Sequence, residues 1–94
     1  MNLVYTPQAL TDLENIYNYL YERNPAAAFD VLFGIYAGVQ FVTNYPEASL
    51  ATDDQQVRVK LVRRYQYKIF YRIEKESIQI LHVRHTARKP WKRA

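Results

Sequence analysis

The chain has 94 residues, 49% hydrophobic and 15% aromatic, with two glycines and four prolines. That composition fits one globular domain over residues 1–94 and excludes a disordered or low-complexity chain. With no cysteine there is no disulfide framework, thiol nucleophile or thiolate metal site, and no run approaches the ~18 apolar residues of a membrane span. The net charge of +4 conceals a split: residues 1–56 hold one base against seven acids, net −6, and residues 57–94 hold twelve bases against two acids, net +10. So large an excess in one half implies an acidic partner, either nucleic acid or an acidic protein segment.

Leu3-Val4-Tyr5 is a short apolar run that stops at Thr6-Pro7. Thr6 suits a helix N-cap and Pro7 the first helical position. Leu10, Leu13, Ile16, Tyr17 and Leu20 then recur at spacings of three and four, as one face of a helix. Asp12 and Glu14 lie early in it, where the helix dipole favours negative charge. Asn24-Pro25 repeats the start signal. A second helix follows, with Ala28, Leu32, Ile35, Val39 and Val42 on one face, widened by Phe29, Phe33, Tyr36 and Phe41, and it ends at Tyr45-Pro46. So short a join makes the two helices an antiparallel hairpin. Gly34 and Gly38 are either sites of close backbone approach or tolerated small residues.

Residues 46–56 are polar and aperiodic, a surface loop. From Val57 the period changes to two, and Val57-Arg58-Val59-Lys60-Leu61 predicts a strand with a buried apolar face and an exposed basic one. Arg63 to Gln66 form a turn. A second strand has Tyr67, Ile69, Tyr71 and Ile73 on one face and Lys68, Phe70 and Arg72 on the other. After a hairpin loop at Glu74–Ser77, Ile78 to Val83 are apolar on both sides, as in a central strand. The expected class is α+β, in the order β-α-α-β-β-β, with the helical hairpin packed on a small antiparallel sheet.

The chemistry-bearing residues are few. His82 and His85, three apart on a strand, point to opposite faces, so no metal is expected, and nothing calls for a cofactor. His85, at a strand end beside Arg84 and Arg88, is the better functional candidate. A nuclease could use it as acid or base, with Tyr71 as second proton-transfer group and Arg64, Arg84 and Arg88 on the phosphate. A basic face that binds without cutting accounts for the same residues more simply. Tyr17, Tyr19 and Tyr21 cannot all face inward on one helix, so some of them meet solvent or a partner. Trp91, after Pro90 in a basic tail, is either a lid or an interface anchor.

Three segments together resemble the RelE/ParE superfamily of toxins from bacterial type II toxin–antitoxin systems, over essentially the whole chain. They are Tyr5-Thr6-Pro7-Gln8-Ala9 leading into Asp12-Leu13-Glu14-Asn15-Ile16; Tyr67-Lys68-Ile69-Phe70-Tyr71-Arg72-Ile73; and Ile80-Leu81-His82-Val83-Arg84-His85-Thr86-Ala87-Arg88. The last, an apolar strand ending in His-x-x-Arg, looks most like the ParE branch. The resemblance implies a cytoplasmic toxin held in a hetero-oligomer by an antitoxin of ParD-like kind, whose C-terminal segment wraps it. For the ParE branch it implies inhibition of DNA gyrase and a role in plasmid stabilisation, with no catalysis by the chain itself. On that reading Arg84, His85, Arg88 and Trp91 face the target, and Arg58, Lys60, Lys68, Arg72, Tyr17 and Tyr21 meet the antitoxin. RelE-like members instead cut mRNA on the ribosome. That alternative would give His85 the proton transfer and Arg64, Arg84 and Arg88 the phosphate. Direct nucleic-acid binding by a non-toxic basic module is a third expectation.

Overall fold

Two residues, Thr6 and Asn24, start the helices by the same device and place them on the sheet. In the computed structural model, which describes residues 2–54 and 56–86, the chain runs β1 (Asn2–Tyr5), α1 (Pro7–Arg23), α2 (Pro25–Asn44), β2 (Leu50–Ala51), β3 (Arg58–Val62), β4 (Tyr67–Glu74) and β5 (Ser77–His85). Thr6 Oγ1 accepts from the Ala9 amide at 3.2 Å and donates to the Ile80 carbonyl at 2.8 Å, so the cap of α1 is also stapled to β5. Asn24 closes α1 through its amide to the Leu20 carbonyl, 2.7 Å, and opens α2 by accepting from the Ala27 amide at 3.3 Å. One residue therefore serves both helices, and the hairpin must be antiparallel.

The strand order is β1-β5-β4-β3-β2. The sheet is mixed rather than wholly antiparallel as expected, because β1 pairs parallel to β5, Asn2 opposite Ser77 through Tyr5 opposite Ile80. Strands joined by tight turns have to run antiparallel, but β1 is followed by the helical hairpin and is free of that constraint. The segment expected as an irregular loop contributes the two-residue edge strand β2, with Leu50 opposite Val59. Opposite Phe70 and Tyr71 of β4 stand His82 and Ile80, which leaves Leu81 as an extra residue on β5. That bulge keeps Ile78, Ile80 and Val83 together in the core despite their odd spacing.

The core lies between the hairpin and one sheet face. The helices supply Ala9, Val31, Ile35, Val39 and Val42, and the sheet Tyr67, Ile69, Tyr71, Ile78, Ile80 and Val83. Leu10, expected on the buried face of α1, is 54% exposed, and Val31 takes the place expected for Leu32. The glycines mark close approach: a Cβ on Gly38 would stand 2.8 Å from Ile69 Cδ1, and one on Gly34 2.7 Å from the Tyr65 ring. They let α2 settle onto β3 and β4. By length and composition α2 is apolar enough to cross a membrane, with mean hydropathy 1.5 over an 18-residue window, which the sequence reading had excluded. Its inner face is committed to this core, with six of its residues buried.

β3 reverses the expected facing. Arg58 stands opposite Tyr71 and Lys60 opposite Ile69, so both cations lie on the face that carries the core. They sit at its margin: Arg58 donates to the carbonyls of Glu47 and Ser49 at 3.3 and 3.1 Å, and Lys60 Nζ lies 4.0 Å from the centre of the Phe41 ring. Alternation separates two faces without saying which is covered, and the long stems of Lys and Arg can shield apolar surface as a small side chain cannot.

Candidate functional site

β1 ends at Tyr5, whereas β5 runs on to His85, so among the described residues the outer edge of β5 has no strand beside it beyond Ile80. α1 lies along that edge instead. Asp12 Oδ2 accepts from the Val83 amide at 3.0 Å, doing for β5 what a further strand residue would have done. Its Oδ1 is held by Gln8 Nε2 at 2.9 Å. Asp12 was expected to act on the helix dipole, but it lies past the first turn of α1, which holds no acid. Its partner is instead 71 residues away in sequence.

Between α1 and the ends of β4 and β5 opens a groove of about 720 Å³. Ile16, Leu20 and Val83 form its apolar floor, and Asn15, Tyr19, Arg84 and His85 its polar walls. His85 stands edge-on to the Tyr67 ring, centroids 5.2 Å apart. Tyr19 is braced by Arg23, whose guanidinium lies 3.7 Å above the ring and donates to the Tyr19 carbonyl at 2.8 Å. The site thus joins the acidic half of the chain to the basic half, through an aromatic and an amide from α1 and a cation and an imidazole from β5.

His82 lies between Arg84 and Asp12. Its Nδ1 is 3.4 Å from Arg84 Nη2 and 3.4 Å from Asp12 Oδ2. Burial lowers the His82 pKa from its ordinary 6.5, the Arg84 charge lowers it further, and Asp12 opposes both. With Nδ1 unprotonated the ring accepts from Arg84; with Nδ1 protonated it donates to Asp12. Because the folded chain binds this proton less readily than the unfolded one, stability should be full above about pH 6.5 and fall as the pH drops from there through the folded pKa. Thermal melts across that window should show a shallower pH slope for His82→Gln than for the wild type; equal slopes would remove His82 from the account.

The other candidate residues are dispersed. Tyr71 is fully buried, its hydroxyl donating to the Pro46 carbonyl at 2.6 Å. Burial pushes its phenol above the usual 10.0, against smaller pulls from Ser49 and Arg58. His85 pairs with Tyr67, four residues from Tyr71 along β4, or about 13 Å at strand rise. The proton-transfer pair expected for a nuclease is therefore not brought together. Arg64 lies in the β3–β4 turn, 5.3 Å from the centre of the Tyr65 ring. Arg88 and Trp91 lie outside the described residues. Among the described residues no cluster of three or more His, Cys, Asp or Glu could hold a metal.

The six residues assigned to an antitoxin do not form one patch. Arg58 and Lys60 sit at the margin of the core face. Lys68 and Arg72 alternate with core residues and occupy the opposite face, where Arg72 Nε is 3.2 Å from Glu74 and Nη2 donates to Gln79 at 3.1 Å. Tyr17 and Tyr21 stack at 5.4 Å on the hairpin, against Phe29. Asp12, Asn15 and Tyr67 also shape the groove; they fall within the segments that carry the family resemblance, yet no local pattern assigns them to one site with Arg84 and His85.

A family model described as the ParE toxin of type II toxin–antitoxin systems, parDE, matches residues 3–90. The chain belongs to the ParE toxin family. Among solved structures, a chain of the chromosomal ParDE toxin–antitoxin system from P. aeruginosa superposes with a TM-score of 0.80 at 23% identity, covering 90% of this chain and 95% of that one. That likeness shows the ParE fold: two helices on a five-stranded mixed sheet. No curated protein matches.

Proposed function

We propose that this ParE-family chain is a cytoplasmic toxin that inhibits DNA gyrase by binding it, and that an antitoxin neutralises it in a hetero-oligomer. The observation that carries this reading is the groove beside α1, where Arg84 and His85 meet Asn15 and Tyr19 while Tyr71, the phenol a cleaving pair would need, faces the core. With His85 and Tyr71 held apart, a site with cationic and aromatic walls favours binding over phosphodiester cleavage by that pair. The excess of positive charge in residues 57–94 suits an acidic antitoxin that lays one segment along the strands at Lys68 and Arg72 and packs another against Tyr17 and Tyr21 on the helical hairpin. Loss of such an antitoxin would release the toxin, the basis of plasmid stabilisation by these systems.

The test is a supercoiling assay with the purified chain, Arg84→Glu, Arg88→Ala and a form lacking residues 86–94. Inhibition by the wild type should weaken about tenfold or more in Arg84→Glu, equivalent to ~1.4 kcal/mol, and antitoxin should restore supercoiling. If gyrase runs unimpeded while the same sample cuts ribosome-bound mRNA, the endonuclease reading replaces this one.

A further inference from the structure

Phe70 is more buried than its face of the sheet accounts for. It stands opposite Val59 on β3 and His82 on β5, between Ile69 and Tyr71, whose side chains enter the core. Its own side chain therefore points to the other face. Both helices pack on the core side, and among the described residues no helix or strand lies over the outer one. A ring in the middle of an uncovered sheet keeps one flat side in water. Yet Phe70 is 2% exposed, as buried as Ile35, and does not belong to the core cluster. The stems of Lys68 and Arg72 flank it along β4 and can shield its edges. They leave its outward side uncovered, because Arg72 is turned to Gln79 and Glu74. The burial is that of the single chain, so no partner supplies the cover.

Outside the described residues the chain has Met1, Gln55 and residues 87–94. Met1 adjoins Asn2, which pairs with Ser77 at the far end of β5, and Gln55 is one polar residue in the loop before β3. Residues 87–94 alone carry an aromatic ring, Trp91, and they follow directly on the end of β5. Their length fits the distance. Thr86 donates its amide to the Gln66 carbonyl at 2.7 Å, so the segment departs level with Gln66. Phe70 lies four residues along β4 from there, about 13 Å at strand rise. Trp91 is five residues beyond Thr86, about 17 Å of extended chain, enough to return along β4 and rise over the sheet. We propose that residues 87–94 fold back across the outer face of the sheet and seat Trp91 on Phe70. Charge opposes this contact: the segment carries Arg88, Lys89, Lys92 and Arg93, and the face it crosses carries Arg72 and Lys68, the latter opposite Arg84. The fold-back is therefore held by apolar and aromatic burial and strengthens when salt screens the cations. It gathers the cations of sheet and segment around one pair of rings, a surface that an acidic partner would meet as a unit. The inference concerns the free chain and does not rest on the gyrase reading.

Trp91 is the one tryptophan of the chain, so its fluorescence reports on this segment alone. Quenching by acrylamide, which is uncharged, should be several-fold weaker in the native chain without antitoxin than in urea, and weaker still at high salt. Phe70→Leu, with an unchanged circular dichroism spectrum, should raise native quenching toward the unfolded level. In the wild type, nuclear Overhauser effects should join the Trp91 indole to the Phe70 ring, a readout that needs no variant to fold. A Trp91 quenched alike in native and unfolded chains overturns the inference. So does a shielded Trp91 whose Overhauser contacts lie on the helical hairpin or on a second copy of the chain.

Discussion

Replacing Tyr71 with alanine is expected to cost about 3–5 kcal/mol, the range for truncating a large buried ring. The residue is fully buried and among the largest side chains of the core. In a domain whose whole stability is about 5–15 kcal/mol, that loss removes a large share of the total and should lower the denaturation midpoint accordingly. Tyr71→Phe keeps the ring and removes only the bond to the Pro46 carbonyl, so its cost should be about 1 kcal/mol. Chemical denaturation of the two variants measures both numbers. The pair also separates two roles. As a core residue, Tyr71 should tolerate phenylalanine with toxicity intact, whereas a proton-transfer residue would lose function with that change while stability barely moved.

Asp12→Ala should cost about 1–3 kcal/mol, because it strands the Val83 amide on an edge of β5 where no strand of the described residues pairs. Asp12→Asn keeps an acceptor for that amide and should lose less than half as much. Hydrogen exchange at Val83 is the direct readout: it should accelerate in the alanine variant and stay close to wild type in the asparagine one. If the alanine variant melts within about 0.5 kcal/mol of the wild type, as an ordinary surface substitution would, the carboxylate is not what holds the strand end. The same change should loosen the groove, since Asp12 fixes α1 against the strand that carries Arg84 and His85.

Much of the fold was legible because the signals are local. Thr6-Pro7 and Asn24-Pro25 state where helices begin, Tyr45-Pro46 where the second ends, and the change from a period of three to four to one of two at Val57 states where strands begin. Each rests on the backbone geometry of neighbouring residues, so one sequence suffices. The facing of β3 was not legible, because Val57-Arg58-Val59-Lys60-Leu61 alternates identically whichever side is covered. Nor was the bulge at Leu81: a run of apolar residues hides a slipped register.

The site shows the same division. Arg84 and His85 could be picked out because cations and imidazole stand together at a strand end, and that much is written in adjacent letters. Asn15, Tyr19 and Asp12 could not, for they reach those residues only when α1 is laid along the edge that β1 leaves open. The sequence by itself determined the order of the elements, the helical hairpin, the charge division and the family resemblance, all of which depend on spacings of a few residues. Only the tertiary structure decided which face of β3 is covered, where Asp12 finds its partner, and that Tyr71 belongs to the core. Contacts between residues about seventy positions apart are set by packing, and packing leaves no periodicity along the chain.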